Sequence, residues 1–196
     1  MNGSQVVALL KQRLAVREPV RMDAQHLTRA AVLVPLILRG DEAFVLFTER
    51  SHHVPTHQGQ VSFPGGVHEP DDPDLIQTAV RETWEEVGVP PEQVMVLGRL
   101  DDMATNSTAF VITPFAAVIP PDVARITSDL EVARIIETSL DLLLDPANRQ
   151  VDERTKRWQY VLPDVVVWGA TARILSGFLG ILGLADPLEA QPGTPR

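Results

Sequence analysis

Glu82, Glu85 and Glu86 stand at i, i+3 and i+4 in the segment RETWEEVG, residues 81–88. On a helix that spacing brings three carboxylates within about 100° of arc. Like charges at such steps cost a helix about 0.2–0.5 kcal/mol per pair unless a cation sits among them. Oxygen-only donors suit hard divalent cations, so the cluster asks for Mg²⁺ or Mn²⁺. Gly65 and Gly66 precede it across a short acidic loop, and glycine lets backbone approach a ligand or side chain closely. A solvated acidic face on an amphipathic helix would explain the glutamates alone, but not the double glycine in front of them.

The surrounding residues are expected to hold that helix over 73–87. Asp72 is a good N-cap, Pro73 suits the first helical position and Gly88 can end the helix in the left-handed conformation. Ile76, Val80, Thr83, Trp84 and Val87 follow helical spacing and form an expected packing stripe beside the glutamates. Arg81 lies one turn before Glu85, where it can fix that side chain's rotamer.

The segment resembles the Nudix box, a glycine and short acidic loop followed by Arg-Glu-x-x-Glu-Glu-x-Gly. Gly66, Arg81, Glu82, Glu85, Glu86 and Gly88 match, and the loop is one residue longer than usual, so that Glu69 or Asp72 fills its acidic position. Residues 46–66, LFTERSHHVPTHQGQVSFPGG, are similar to the signature of the coenzyme A pyrophosphatase branch through Leu46, Thr48, Arg50, Ser51, Gly59, Phe63, Pro64, Gly65 and Gly66. Pro55 stands where that branch has an arginine, which puts the substrate in question. Further similarity at 112–121, 131–133 and 167–175 extends the resemblance over roughly residues 30–180.

The resemblance implies an α/β/α sandwich with a mixed β-sheet and a metal-dependent hydrolase of phosphoanhydride bonds. It implies metal ligands at Glu82, Glu85 and Glu86 with a backbone carbonyl near Gly66, and substrate contacts from Arg50, Gly65 and Gly66. Arg81 belongs to the catalytic set. The general base is Glu85 by its place in the box, with Glu69, Asp72 and Glu131 as loop-borne alternatives. The branch substrate is coenzyme A or an acyl derivative, cut into 3′,5′-ADP and 4′-phosphopantetheine. Another Nudix activity, on ADP-ribose or a nucleoside triphosphate, and a non-catalytic nucleotide-binding module are the competing readings. The intact glutamates oppose the second.

Elsewhere the chain reads as a helix near 4–15, a hairpin of strands 30–38 and 43–49 turning at Arg39–Glu42, and strands 94–100 and 109–119 joined by the polar loop 101–108. A strand at 131–137, a short helix at 138–145, a strand at 157–162 and a C-terminal helix complete an α/β pattern. In the apolar run 165–185, Arg173 and four glycines oppose a membrane span, while Ile174, Leu175, Phe178, Leu179 and Leu182 have the spacing of a buried helix. Residues 1–185 are expected to form one domain, followed by a disordered tail at 186–196.

Composition sets the remaining bounds. The chain has 196 residues, no cysteine and a formal charge of −9. Thiol chemistry is excluded, and a cytoplasmic location is expected. The acidity opposes general nucleic-acid binding but not a small nucleotide-type substrate, because bound metal reverses the local field. His53 and His57 have the spacing of a helical metal pair, but Pro55 between them opposes a helix, so the loop histidines read better as substrate contacts. Asp101, Asp102, Thr105, Asn106 and Ser107 read as a solvated turn that could line a pocket. Trp158, Tyr160 and Trp168 read as core aromatics that could instead stack a base.

Overall fold

A computed structural model of the chain describes residues 2–23, 26–51, 58–105, 110–122 and 130–183. In chain order the elements are α1 (Gly3–Val16), β1 (Thr28–Arg39), β2 (Glu42–Arg50), β3 (Val61–Ser62), β4 (Gly65–Val67), α2 (Leu75–Val87), β5 (Met95–Arg99), β6 (Met103–Ala104), β7 (Phe110–Ile119), β8 (Val132–Ser139), α3 (Leu140–Leu144), β9 (Arg149–Val151), β10 (Trp158–Val161), β11 (Val166–Trp168) and α4 (Gly169–Ile181). Short 3₁₀ turns lie at Pro91–Gln93 and Pro146–Asn148.

β1 is the central strand. It runs parallel to β7 from Thr28↔Phe110 to Ile37↔Ile119, while its other edge is shared by two antiparallel partners. β2 takes that edge over residues 36–39 and β4 over residues 30–32. Pro35 stands at the changeover. The Leu33 N–H bonds to Pro64 O on this edge, so the Pro35 nitrogen two residues on faces the same side, between the two pairings. A residue without an N–H is tolerated in a central strand at such a gap. The parting of β1 from β2 admits β3 and β4, and with them Gly65 and Gly66, into the middle of the sheet.

Alternation along the strands separates two cores. Leu33, Ile37 and Leu46 face α2 and pack with Ala79 and Val87. Val34, Leu36, Val45 and Phe47 face the other way, against Val6 and Leu10 of α1, Leu175, Phe178 and Leu179 of α4, and Tyr160 and Val167 of the small antiparallel sheet β9–β10–β11. Helix, mixed sheet, then helices with a small sheet make the expected α/β/α sandwich. Ile174, Leu175, Phe178, Leu179 and Leu182 are all buried, as their spacing requires, although the run begins with β11 before the helix starts. No helix among the described residues is long and apolar enough to cross a membrane.

Three details differ from the sequence reading. The box helix starts at Leu75 and its N-cap is Asp74, whose side chain accepts from Gln77 N–H at 2.9 Å. Asp72 is drawn elsewhere, into a pair with Arg81. Trp84 is 54% exposed, and the buried face of α2 is Thr78, Ala79, Val80, Thr83, Glu86 and Val87. Finally, β3, β4, β6, β9 and β11 are two or three residues long and were not anticipated. Gly88 does end α2 in the left-handed conformation, φ +69°, with its N–H bonded to Trp84 O. Pro55, His52, His53, His57, Asn106, Ser107 and the tail 186–196 lie outside the described residues.

Candidate metal and catalytic site

The glutamates of α2 meet the double glycine of β4. A β-carbon built on Gly66 would lie 2.7 Å from Glu82 Oε2 and closer still to Oε1, so only glycine lets the carboxylate rest against that backbone. One residue earlier, Gly65 has φ +153°, and a β-carbon there would strike Ala31 O. Its N–H donates to Glu86 Oε2 at 3.3 Å. The two glycines thus serve different ends, one for approach and one for backbone conformation.

Burial grades the three carboxylates. Glu86 is 5% exposed, and burial together with the charge of Glu82 pushes its pKa up to about 8. Arg50, at the end of β2, opposes that rise, and Glu131 adds to it. Glu82 is also raised by burial, although Arg81 Nη1 sits 2.9 Å from its Oε1. Glu85 is half exposed and pairs with Arg81 at 3.2 Å. One buried and one partly buried carboxylate with raised proton affinity, and one accessible carboxylate, fit a hard divalent cation. Among the described residues no three acidic or histidine side chains are yet drawn to metal-ligand spacing, because Glu82 and Glu85 are turned toward Arg81.

Arg81 is positioned chiefly by Asp72. Its Nε donates to Asp72 Oδ1 at 2.9 Å and its Nη2 to Asp72 Oδ2 at 3.0 Å, with a further bond to Val67 O at 3.3 Å. Its link to Glu85 is therefore one branch of a larger brace. The guanidinium holds the Asp72 carboxyl well below the usual range, and Thr78 Oγ1 and Glu69 N–H also donate to it. Such a carboxylate is a poor proton acceptor. Thr78, buried at the start of α2, was not singled out in the sequence; its hydroxyl also bonds His68 Nδ1 at 2.8 Å. Only a helical position facing the loop could have flagged it.

Glu69 is exposed on the box loop, where its backbone N–H closes the turn onto Asp72. Glu131 is exposed beside the start of β8. Its carbonyl accepts from Ser51 N–H at 2.8 Å, and its charge reaches both Glu82 and Glu86. Among the described residues Arg50 Nε is buried without a hydrogen-bond partner, a donor beside the carboxylates. Asp101 and Asp102 are turned away from the glutamates. Asp101 pairs with Arg17, and buried Asp102 pairs with Arg99 at 2.6 Å and accepts from Thr113 Oγ1 at 2.8 Å and Met22 N–H at 2.9 Å. Tyr160 is fully buried, whereas Trp168 is 45% exposed.

A family profile described as NUDIX domain matches residues 27–161. An uncharacterized Nudix hydrolase NudL of Enterobacter sp. (strain 638) is 37% identical over 168 residues, covering 82% of this chain and 85% of the relative. One of the same description from Photorhabdus laumondii is 34% identical over 169 residues, covering 83% and 89%. Among solved structures, a MutT/nudix family protein from Enterococcus faecalis aligns over 93% of this chain and 80% of its own, with TM-score 0.54 and 13% identity. The M. smegmatis Nudix hydrolase RenU aligns over 60% and 74%, with TM-score 0.50 and 24% identity. With the glycine-backed glutamates of α2 and the sandwich around them, these matches define the class: the chain belongs to the Nudix family. It is a Nudix hydrolase, an enzyme acting on phosphoanhydride bonds.

Proposed function

We propose that the enzyme hydrolyses the diphosphate of coenzyme A or an acyl-coenzyme A, releasing 3′,5′-ADP and 4′-phosphopantetheine. The observation that carries the hydrolytic site is the packing of the Glu82 carboxylate on Gly66 beside buried Glu86. The substrate reading rests on residues 46–66, whose branch signature is interrupted at Pro55.

Glu82, Glu85, Glu86 and the Gly66 carbonyl would hold Mg²⁺ or Mn²⁺. When bound, such a cation supplies charge to neutralise the diphosphate oxygens and acidify water. Arg50 lies near the same carboxylates, its Nε without a partner among the described residues, and is suited to a phosphate oxygen. Gly65 and Gly66, expected as substrate contacts, instead turn their bare sides to β1 and to the Glu82 carboxylate. Water adds its oxygen to one phosphorus, the bridging P–O bond breaks, and the other phosphate leaves with the bridging oxygen. The proton from that water goes to Glu85, the accessible carboxylate of α2, with Glu69 and Glu131 as the loop alternatives. Arg81, clamped by Asp72, sets the rotamers of Glu82 and Glu85 and is a positioning residue. The unit 1–185 is read as one domain because α1 and α4 share a core with the sheet, and its lack of cysteine suits the cytoplasm.

Glu82→Gln and Glu86→Gln replace an ionisable ligand oxygen by an amide at nearly constant volume. Each is expected to lower kcat by at least about 100-fold, roughly 2.7 kcal/mol of transition-state stabilisation. Near-normal rates in both folded variants would remove the metal assignment. Rates on coenzyme A, ADP-ribose, NADH and dGTP with Mg²⁺ or Mn²⁺ test the substrate. If ADP-ribose or dGTP is preferred, and Pro55→Arg leaves that order unchanged, only the wider Nudix reading survives.

A further inference from the structure

The small sheet β9–β10–β11 carries a cavity of about 380 Å³ that the glutamate site does not use. Asp152, Arg154, Thr155 and Arg157 line it from the β9–β10 turn, Trp158 and Gln159 from β10, and Val166 and Trp168 from β11. A pocket of this size is in the range that small organic ligands occupy. Its wall is unusual for this chain: two indoles and an aliphatic side chain meet two guanidiniums. Trp168 and Val166 are 45% and 40% exposed, so apolar surface remains open to water there.

The turn is built to present cations. Asp152 N–H bonds to Arg157 O at 2.8 Å, Lys156 N–H bonds to Asp152 O at 2.8 Å, and the Asp152 side chain accepts from Thr155 N–H. Lys156 closes the turn at φ +56°, the one left-handed non-glycine among the described residues. Asp152 is thereby committed to the turn, and neither Arg154 nor Arg157 has an ion pair among the described residues. The nine-residue stretch 149–157 sets Arg149, Arg154, Lys156 and Arg157 against Asp152 and Glu153, a local excess of two positive charges in a protein of net charge −9. Arg173, partly buried on α4, is disfavoured as a cation by burial and by the charge of Arg157. Asp152 lines the same cavity and offsets part of the charge of Arg154, so the guanidiniums of Arg154 and Arg157 leave a net positive side beside the two indoles.

We propose that this cavity binds a phosphorylated aromatic molecule of the purine nucleoside monophosphate or diphosphate class, at a site separate from the glutamates of α2. The guanidinium fork matches phosphate oxygens, and an indole face suits a flat base. A bare anion would leave the indoles idle, and a neutral ring would leave the arginines unpaired. A nucleic-acid polymer is disfavoured by the acidity of the rest of the surface. The inference does not depend on which phosphoanhydride the enzyme cleaves.

Isothermal titration of the full chain with adenosine 5′-monophosphate, in chelator so that no divalent cation is bound, tests it. One saturable site per chain is expected, retained in Glu82→Gln. Arg154→Ala/Arg157→Ala and, separately, Trp168→Ala should each raise Kd at least about tenfold, which is about 1.4 kcal/mol. Trp168→Phe, which keeps an aromatic face and guards against a folding defect, should stay within about threefold of the parent. Adenosine and inorganic phosphate should each bind at least about tenfold more weakly than the nucleotide. The proposal falls if no saturable binding occurs, if binding disappears in Glu82→Gln, if the arginine or tryptophan variants bind normally, or if phosphate alone binds as well as the nucleotide.

Discussion

Glu86 sits under two demands that conflict. Its place behind Gly65 takes it out of water, and Glu82 adds a second negative charge, so the folded chain holds its proton up to about pH 8, against an ordinary value of 4.5. In the unfolded chain that proton is lost near the ordinary value. Between those limits the folded state carries more protons than the unfolded state, so stability must fall as pH rises. With metal chelated, the urea midpoint is therefore expected to drop from about pH 5 toward pH 8 by an amount worth a few kcal/mol at most. Glu86→Gln should flatten much of that slope, because the amide has no proton to lose. A parent and variant with superimposable pH profiles would show that Glu86 is not the group responsible. The same residue explains why carboxylate spacing was readable in advance while carboxylate roles were not. Helical spacing groups Glu82, Glu85 and Glu86, but which of them is buried follows from where β4 lies.

At the level of elements, the C-terminal helix gives the firmest expectation. Phe178 is fully buried among α1, α4 and the central sheet, so Phe178→Ala should cost about 3–5 kcal/mol through lost contacts and the cavity left behind. A change below about 1 kcal/mol in chemical denaturation would contradict that packing. This helix was legible because five apolar residues repeat at its spacing. The start of α2 was less so. Asp72 and Asp74 flank Pro73 and are both good N-caps, and the choice is made by Arg81, which lies nine residues from Asp72 and claims it. Trp84 was misplaced because its spacing fits the apolar stripe, although Thr78 and Ala79 fill the layer over the sheet instead. Strands of two or three residues carry too short a pattern to show alternation. β4, which holds both site glycines, exists because β1 leaves β2 and offers a free edge.

For the whole molecule, the N-terminal segment is tied to the sheet through acidic residues that sequence alone assigned to a solvated turn. Asp102 is buried where β5 passes into β6 and receives bonds from Arg99, Thr113 and the Met22 N–H. Asp102→Ala leaves Arg99 without its partner and is expected to destabilise the protein by about 3–5 kcal/mol, read as a lower urea midpoint, with little change in rate per folded molecule. An unchanged midpoint would mean that the segment is held by other contacts. The central parallel pair has a different consequence, in the time domain. Every partner in the β1–β7 ladder lies at the same sequence separation, from Thr28↔Phe110 to Ile37↔Ile119, and closing a loop of roughly 80 residues costs about 4 kcal/mol of chain entropy. That cost falls on the first contact alone, after which the ladder zips without further closure. The box helix lies inside the loop, and the strand residues on which it packs come from both ends of it. Its carboxylates therefore reach their final burial only after that single closure, so proton uptake by Glu86 during refolding should not precede formation of the β1–β7 pair.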